Sequence, residues 1–266
     1  MPLIKACLLP HSPLLIPEIG RANYAFLKKT VAAYQTIGQD LSALKAEVLL
    51  IISPHGQAPE QGIVLNMSPE MEIDLKEFGF IPAHTVFHNA TGLSDSLANG
   101  LAGQFPLSLA AEKLMDYGTA IPVWLLKDCA PNLRIVSLSF SSELDQAVAY
   151  RFGQALAPII AASEKRVAVI ASGDLSHRLK RKSPGGYSPK GAKFDNRIIE
   201  MLNDPASAAQ EIGKLDKNLA AAAGECGLRP LTAIVGLLEG KTWQPEVLAY
   251  QTEFGVGYLS FDFKLD

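Results

Sequence analysis

No apolar run in this chain approaches the ~20 residues that a membrane-spanning helix needs. Cysteine is scarce: Cys7, Cys129 and Cys226 are odd in number and far apart, which excludes a disulfide framework and fits a reducing compartment. Charge is low as well, at 19% of residues with a formal net charge of −3. A chain without a basic excess has no broad field to hold a nucleic-acid backbone. One segment deserves a check for secretion, Ala6 to Ile16 behind Lys5. It is interrupted by Pro10, His11, Ser12 and Pro13, and no small-residue cleavage site follows. The expectation is a soluble cytoplasmic protein with neither nucleic acid nor membrane as partner.

What is abundant is core material, with 48% hydrophobic residues in a chain of 266. Leu3–Leu9, Glu47–Ser53, Gly62–Met67, Leu133–Phe140 and Arg166–Ser172 read as strands. Two more close the chain at Glu246–Thr252 and Gly257–Phe263. EVLLIIS and RVAVIAS are nearly continuous in branched apolar residues, as strands buried on both faces should be. Helical spacing marks Arg21–Lys45, Thr91–Leu101, Lys193–Leu202, Pro205–Ile212 and Leu228–Leu238. A further helix over Ser141–Ser163 is expected to start from a Ser cap, with Glu143 and Asp145 in its first turn. Lys180–Lys193 reads as a long surface loop. Alternating strands and helices predict one α/β domain spanning residues 1–266, with a mainly parallel sheet covered by helices on both faces.

Histidine is rare, at five residues, and three of the five occupy equivalent places. His11 follows the first strand in LLPHSP, His55 the second in IISPHG, and His177 the RVAVIAS strand in SGDLSH. Ligands of open α/β sheets bind at the carboxyl ends of strands, so these three converge on one crevice if the strands are neighbours. Each alone would read as a surface loop residue. His84 and His88 have the i, i+4 spacing of a helical metal pair. Thr85, Val86 and Phe87 between them favour extended structure, which would set the two about 13 Å apart. They read as loop or edge residues.

A metal on His11 and His55 needs another donor, and Gly224-Glu225-Cys226-Gly227 offers two. Glu225 would complete a two-His-one-carboxylate arrangement suited to Fe(II), with positions open for dioxygen and substrate. Cys226 as thiolate would favour zinc or copper(I). The plain reading of the same turn is a helix-capping Glu and a small buried Cys.

LLPHSPLLIPEIG, IISPHGQ, DYGTAIPVWLL, ASGDLSH, AAGECGLRPL and FGVGY occur in this order. The ordered set, running from residue 3 to about residue 258, resembles the class III extradiol dioxygenase catalytic-subunit superfamily. Within it the chain is most similar to the Memo-like proteins of the AmmeMemoRadiSam system. The resemblance implies an iron held by His11, His55 and Glu225, with His177 as acid/base. In the Memo branch the late ligand is a Cys before Gly, which here is Cys226, so both donors stand, Glu225 ahead.

Many relatives have Asp-His-Gly-Thr where this chain has Asp116-Tyr117-Gly118-Thr119. Tyr117 can donate a hydrogen bond beside the substrate but cannot shuttle a proton near neutral pH. The implied activity is Fe(II)-dependent extradiol cleavage of a catecholic substrate by O2, as in aromatic catabolism, with zinc or copper as the other metals. Asp174 would orient His177. Arg178, Lys180, Arg181, Lys182, Lys190 and Lys193 form either a solvated basic loop or a guide for an acidic substrate. Two other classes stay open: a Memo-like metal-binding protein without dioxygenase activity, and a zinc-dependent hydrolase. Some relatives continue into a second domain after the FGVGY-like strand, so a separate partner domain, or a homo-oligomer, is also expected.

Overall fold

The computed structural model describes residues 2–81, 86–130 and 132–265. Strand β1 (Leu3–Leu9) leads through a 3-10 turn (Pro13–Leu15), α1 (Pro17–Gly20) and a 3-10 stretch (Arg21–Leu27) into helix α2 (Lys28–Ala43). Next come β2 (Val48–Ser53), β3 (Ile63–Asn66), β4 (Glu70–Ile73), β5 (Val86–His88), α3 (Thr91–Leu101), β6 (Leu107–Ala110) and β7 (Leu114–Met115). The middle of the chain forms α4 (Tyr117–Leu126), β8 (Arg134–Phe140), α5 (Gln146–Ala161) and β9 (Val167–Ser172). The remainder forms α6 (Pro189–Leu202), α7 (Ala208–Gly213), α8 (Lys217–Ala223), α9 (Leu228–Leu237), β10 (Trp243–Gln251) and β11 (Tyr258–Leu265).

The main sheet has eight strands in the order β10-β11-β1-β9-β2-β8-β3-β6. β1, β9, β2 and β8 run parallel through its centre, and β11 joins β1 antiparallel. Every residue of β2 and β9 is buried, which is why both read as unbroken apolar runs. Alternate side chains serve two cores. Leu50, Ile52 and Val169 pack with Phe152 of α5, Ile198 of α6 and Ile234 of α9. Leu49, Ile51 and Ile170 face Ile37 of α2, Ile121 of α4 and a small second sheet, β5-β4-β7, through Met71 and Phe87. The α5–α9 crossing is close because Gly153 has no side chain: a Cβ there would lie 1.9 Å from the Ala233 carbonyl oxygen.

The α/β architecture with both faces covered is as expected, and no helix among the described residues is long and apolar enough to cross a membrane. Several boundaries differ for physical reasons. The helix expected over Arg21–Lys45 is α-helical only from Lys28, since Arg21 ends α1 at φ 47° and the next turn winds as 3-10. The helix expected from Ser141 starts at Gln146. Ser141 Oγ instead accepts the Glu143 N–H in a turn, and the Asp145 carboxylate caps Ala147 N. α6 starts four residues earlier than its apolar pattern, on Pro189 behind a Ser188 cap. His88 lies exposed on β5, the edge of the small sheet, 3.7 Å from Glu70. His84 falls outside the described residues.

Candidate metal centre

Because β1, β9 and β2 are parallel neighbours, their carboxyl ends open on one edge. His11 stands two residues beyond β1, His55 two beyond β2, and Asp174 two beyond β9, with His177 on the same exit. Tyr117 begins α4, and Glu225 and Cys226 occupy the turn between α8 and α9. That turn is pressed onto the end of β9. Gly227 N donates to the Asp174 carbonyl, and a Cβ on Gly173 would sit 2.2 Å from Gly227 Cα.

His11 Nε2 and His55 Nε2 are 3.0 Å apart. Ser172 Oγ donates its only proton to the Gly118 carbonyl, at 2.5 Å, so at 2.9 Å it can only accept from His11 Nδ1–H. That fixes the tautomer of His11 and leaves the Nε2 lone pair facing the site. Cys226 Sγ lies 3.5 Å from the same nitrogen, and the donor atoms of His11, His55 and Cys226 all fall within 4.8 Å of one another. Metal–ligand bonds of about 2.0–2.3 Å put neighbouring donors roughly 3–4 Å apart, so the residues present fit a small cation. Burial pushes both imidazoles toward the neutral, ligating form. It lowers the His11 pKa, and it takes His55 down to about 3 with help from the neighbouring His11 and His177.

Asp174, His177 and Cys226 form a second cluster within the same 4.8 Å limit. His177 Nδ1–H donates to the Gly224 carbonyl at 2.7 Å, which turns Nε2 toward Asp174 Oδ2 at 3.6 Å. Burial opposes a charged His177, but the Asp174 hydrogen bond and charge outweigh it, and its pKa is raised. Burial also works against ionised Asp174, yet the surrounding His11 and His177 hold its carboxyl below the usual range. Asp174 Oδ1 is buried and finds no hydrogen-bond partner among the described residues.

Glu225 and Cys226 point in different directions. The Glu225 carboxylate accepts Leu228 N at 2.7 Å and Arg229 Nη1 at 2.9 Å, with 2% of the side chain exposed. It caps α9 and pairs one turn along it, and burial raises its pKa against the pull of Arg229. Cys226 Sγ accepts the Asp174 N–H at 3.3 Å and faces His11. Burial first, and the Asp174 charge second, push its thiol up, a cost that a bound cation would offset. The sequence favoured Glu225 over Cys226, whereas the donor atoms gather the other way.

Tyr117 stacks on His55 with ring centroids 4.3 Å apart, and its hydroxyl lies 2.9 Å from His55 Nε2. Beneath them Asp116 caps α4 through Thr119 N at 3.1 Å and accepts the Ser53 hydroxyl, whose oxygen in turn accepts His55 N–H. Ser172, Ser53 and Asp116 were not singled out from the sequence. The signal for the first two is a Ser closing an otherwise apolar strand. A cavity of about 360 Å³ opens beside this centre, lined in part by His55, His177, Glu225, Cys226, Arg229 and Ser142. A larger one, about 1020 Å³, lies by Glu47, Arg134 and Thr91 at the amino ends of β2 and β8 and shares no residue with the centre. Arg178 folds back to within 3.4 Å of the Ala222 carbonyl, and the exposed Lys180, Arg181, Lys182, Lys190 and Lys193 do not line the site cavity.

Comparison with known proteins adds four findings. Protein CA_C1420 of Clostridium acetobutylicum is 29% identical over 261 residues, covering 94% of this chain and 55% of that protein. The 4,5-DOPA dioxygenase extradiol of Beta vulgaris is 26% identical over 181 residues, covering 65% of this chain and 64% of that protein. The chain thus spans between about half and two thirds of the length of these relatives. The crystal structure of the uncharacterized protein JW3007 from Escherichia coli K12 shares the fold at a TM-score of 0.70 and 19% identity, covering 98% of this chain and 99% of that one. The family model described as the catalytic LigB subunit of aromatic ring-opening dioxygenase matches residues 5–260, and the chain belongs to that family.

Proposed function

We propose that this chain is a metal-dependent dioxygenase of the extradiol type, opening a catecholic or related aromatic ring, with His11, His55 and Cys226 as donors to the ion. The observation that carries the reading is the convergence of these three donor atoms around a His11 lone pair fixed by Ser172. A bound ion, Fe(II) in this reading, supplies Lewis acidity and redox chemistry toward dioxygen. The protein groups do the rest. His177, held through Nδ1 by Gly224 and flanked by Asp174, takes up a phenolic proton at Nε2 and later returns one. Tyr117 directs its hydroxyl at the centre as a hydrogen-bond donor. The Glu225–Arg229 pair walls the cavity and holds α9 in place.

A second reading has its own support. With the Glu225 carboxylate committed to α9, the third donor is a thiol, which suits zinc or copper(I) and a Memo-like metal-binding role without oxygen chemistry. Anaerobic purification with metal analysis, then loading with Fe(II), Zn(II) or Cu(I) and measuring O2 uptake on a panel of catechols, separates the two. The first reading expects uptake with Fe(II) only, matched mole for mole by ring-opened product. Full metal occupancy without uptake on any catechol sinks it and leaves the second.

A further inference from the structure

We infer that Asp195, on helix α6, is a positioning residue for His177, fixing from behind the turn that carries the imidazole; what this does for turnover rests on the ring-opening reading above. The chain leaving β9 has no regular structure, so its backbone groups need other partners. Leu175 N donates to the Gly257 carbonyl and Gly257 N to the Ser176 carbonyl, both at 2.8 Å. His177 N donates to the Ala223 carbonyl at 3.1 Å. Ser176 N is left for a side chain, and Asp195 Oδ1 accepts it at 2.8 Å. The second carboxylate oxygen accepts the Tyr250 hydroxyl of β10, also at 2.8 Å, and Asp195 is fully buried.

Two glycines let α6 and β11's approach close on this turn. A Cβ on Gly257 would lie 2.1 Å from Asp195 Oδ2, and one on Gly191, four residues before Asp195 on the same helix face, would lie 2.6 Å from Ser176 Oγ. Burial pushes the Asp195 pKa up to about 6, with Ser176 N and Tyr250 pulling it back, so the group is ionised at neutral pH. An ionised carboxylate only accepts, so neither bond can reverse its direction. The imidazole itself is tied at Nδ1, on the Gly224 carbonyl at 2.7 Å. Where Nε2 points, 3.6 Å from Asp174 Oδ2, therefore depends on where the backbone of the turn sits. Releasing Ser176 N frees the residue immediately before His177. An acid/base group must stay within hydrogen-bond reach of the proton it moves, and a shift of about 1 Å can cost on the order of 100-fold in rate.

Three variants of the full chain test this. Asp195→Asn keeps both bonds, with Oδ1 accepting Ser176 N and Nδ2 donating to Tyr250 Oη. Asp195→Ala removes both acceptors, and Asp195→Leu removes them while keeping the volume, so a folding failure of one leaves the other to decide. The first readout needs no turnover. In the zinc-loaded protein, proton–nitrogen NMR correlation of the His177 ring, assigned by its loss in His177→Gln, should show one tautomer with the proton on Nδ1 at a pH where the ring is neutral. Asn should preserve that signal, whereas Ala and Leu should broaden it or mix the tautomers. The second readout is kinetic, on the Fe(II)-loaded protein with the best catechol. Ala and Leu should lower kcat about 100-fold with KM and metal content within about 3-fold, and Asn should hold kcat within about 3-fold. A sharp, unshifted His177 signal in Ala or Leu, or an Asn variant that loses it, overturns the assignment of Asp195 and leaves the ring-opening reading in place. Absence of turnover by the unaltered protein on every catechol overturns that reading, while the NMR signal still decides for or against Asp195.

Discussion

Replacing Ser172 by Ala tests the geometry at its base. Ser172 is fully buried at the end of β9 and makes two bonds, accepting from His11 Nδ1–H and donating to the Gly118 carbonyl. Its loss orphans both groups, and each buried orphan costs about 1–3 kcal/mol if nothing replaces the bond. The metal-free protein has a partial escape, because His11 can move its proton to Nε2 and donate to His55 Nε2, 3.0 Å away. That escape consumes the lone pair an ion needs. Stability should therefore fall near the low end of the range, while metal affinity falls by about 10- to 100-fold, equivalent to roughly 1.4–2.7 kcal/mol. Competitive titration of Co(II) against a chromophoric chelator gives the affinity, and its thiolate absorption also reports Cys226. Urea melts of the metal-free protein give the stability. Affinity within about 2-fold of the parent, at unchanged stability, would refute the tautomer argument.

Cys226→Ser should cut metal affinity by at least about 10-fold, whereas Glu225→Gln should leave it within a few-fold and instead cost about 1–3 kcal/mol of stability. The reverse ranking in metal analysis would restore Glu225 as the donor. Asp195 is fully buried, its oxygens accept Ser176 N and Tyr250 OH, and burial raises its pKa to about 6 from the ordinary 3.8. The folded state thus holds this proton more tightly than the unfolded chain. Its stabilisation is full below about pH 4 and is lost as pH rises through about 6, some 3 kcal/mol in all. Relative to the parent, Asp195→Asn should gain that much between pH 4 and pH 7 in denaturant melts, and a gap that does not vary with pH contradicts the assignment. Gly153→Ala gains about 1 kcal/mol in helix propensity but forces α5 from α9 at roughly 1–3 kcal/mol or more, so a net loss is expected at unchanged metal content. Net stabilisation would show that the crossing has slack.

How far the sequence spoke depended on how many constraints each segment obeyed. Val48–Ser53 and Val167–Ser172 were legible because strands buried on both faces have no polar phase to confuse. Thr91–Leu101 appears with the expected limits. Tyr117–Leu126 was missed, because TAIPV reads as extended and Pro122 sits inside the helix. It forms under near-complete burial, with Asp116 supplying the cap. The small sheet was missed since strands of two to four residues leave no measurable period. His11, His55 and His177 stood out by position relative to strands, a coarse signal that needs no side-chain directions. Choosing between Glu225 and Cys226 needed those directions. The capping position of Glu225 and its i, i+4 spacing to Arg229 were the cues that pointed the carboxylate along α9.

The placement of β1 has a consequence for how the protein is made. The first strand lies between β9 and β11, and His11 precedes Cys226 by 215 positions. At roughly 5–20 residues per second, synthesis separates the two donors by about 10–45 s. For most of that interval β1 has neither lateral neighbour, since β9 ends only at Ser172 and β11 begins at Tyr258, and until its end the Cys226 thiol does not exist. Metal capture is thereby deferred until the whole stretch from His11 to Cys226 has been translated, which keeps a partly made chain from trapping an ion on two imidazoles. The same delay leaves LIKACLL exposed longest, making it the stretch on which a chaperone would be most needed.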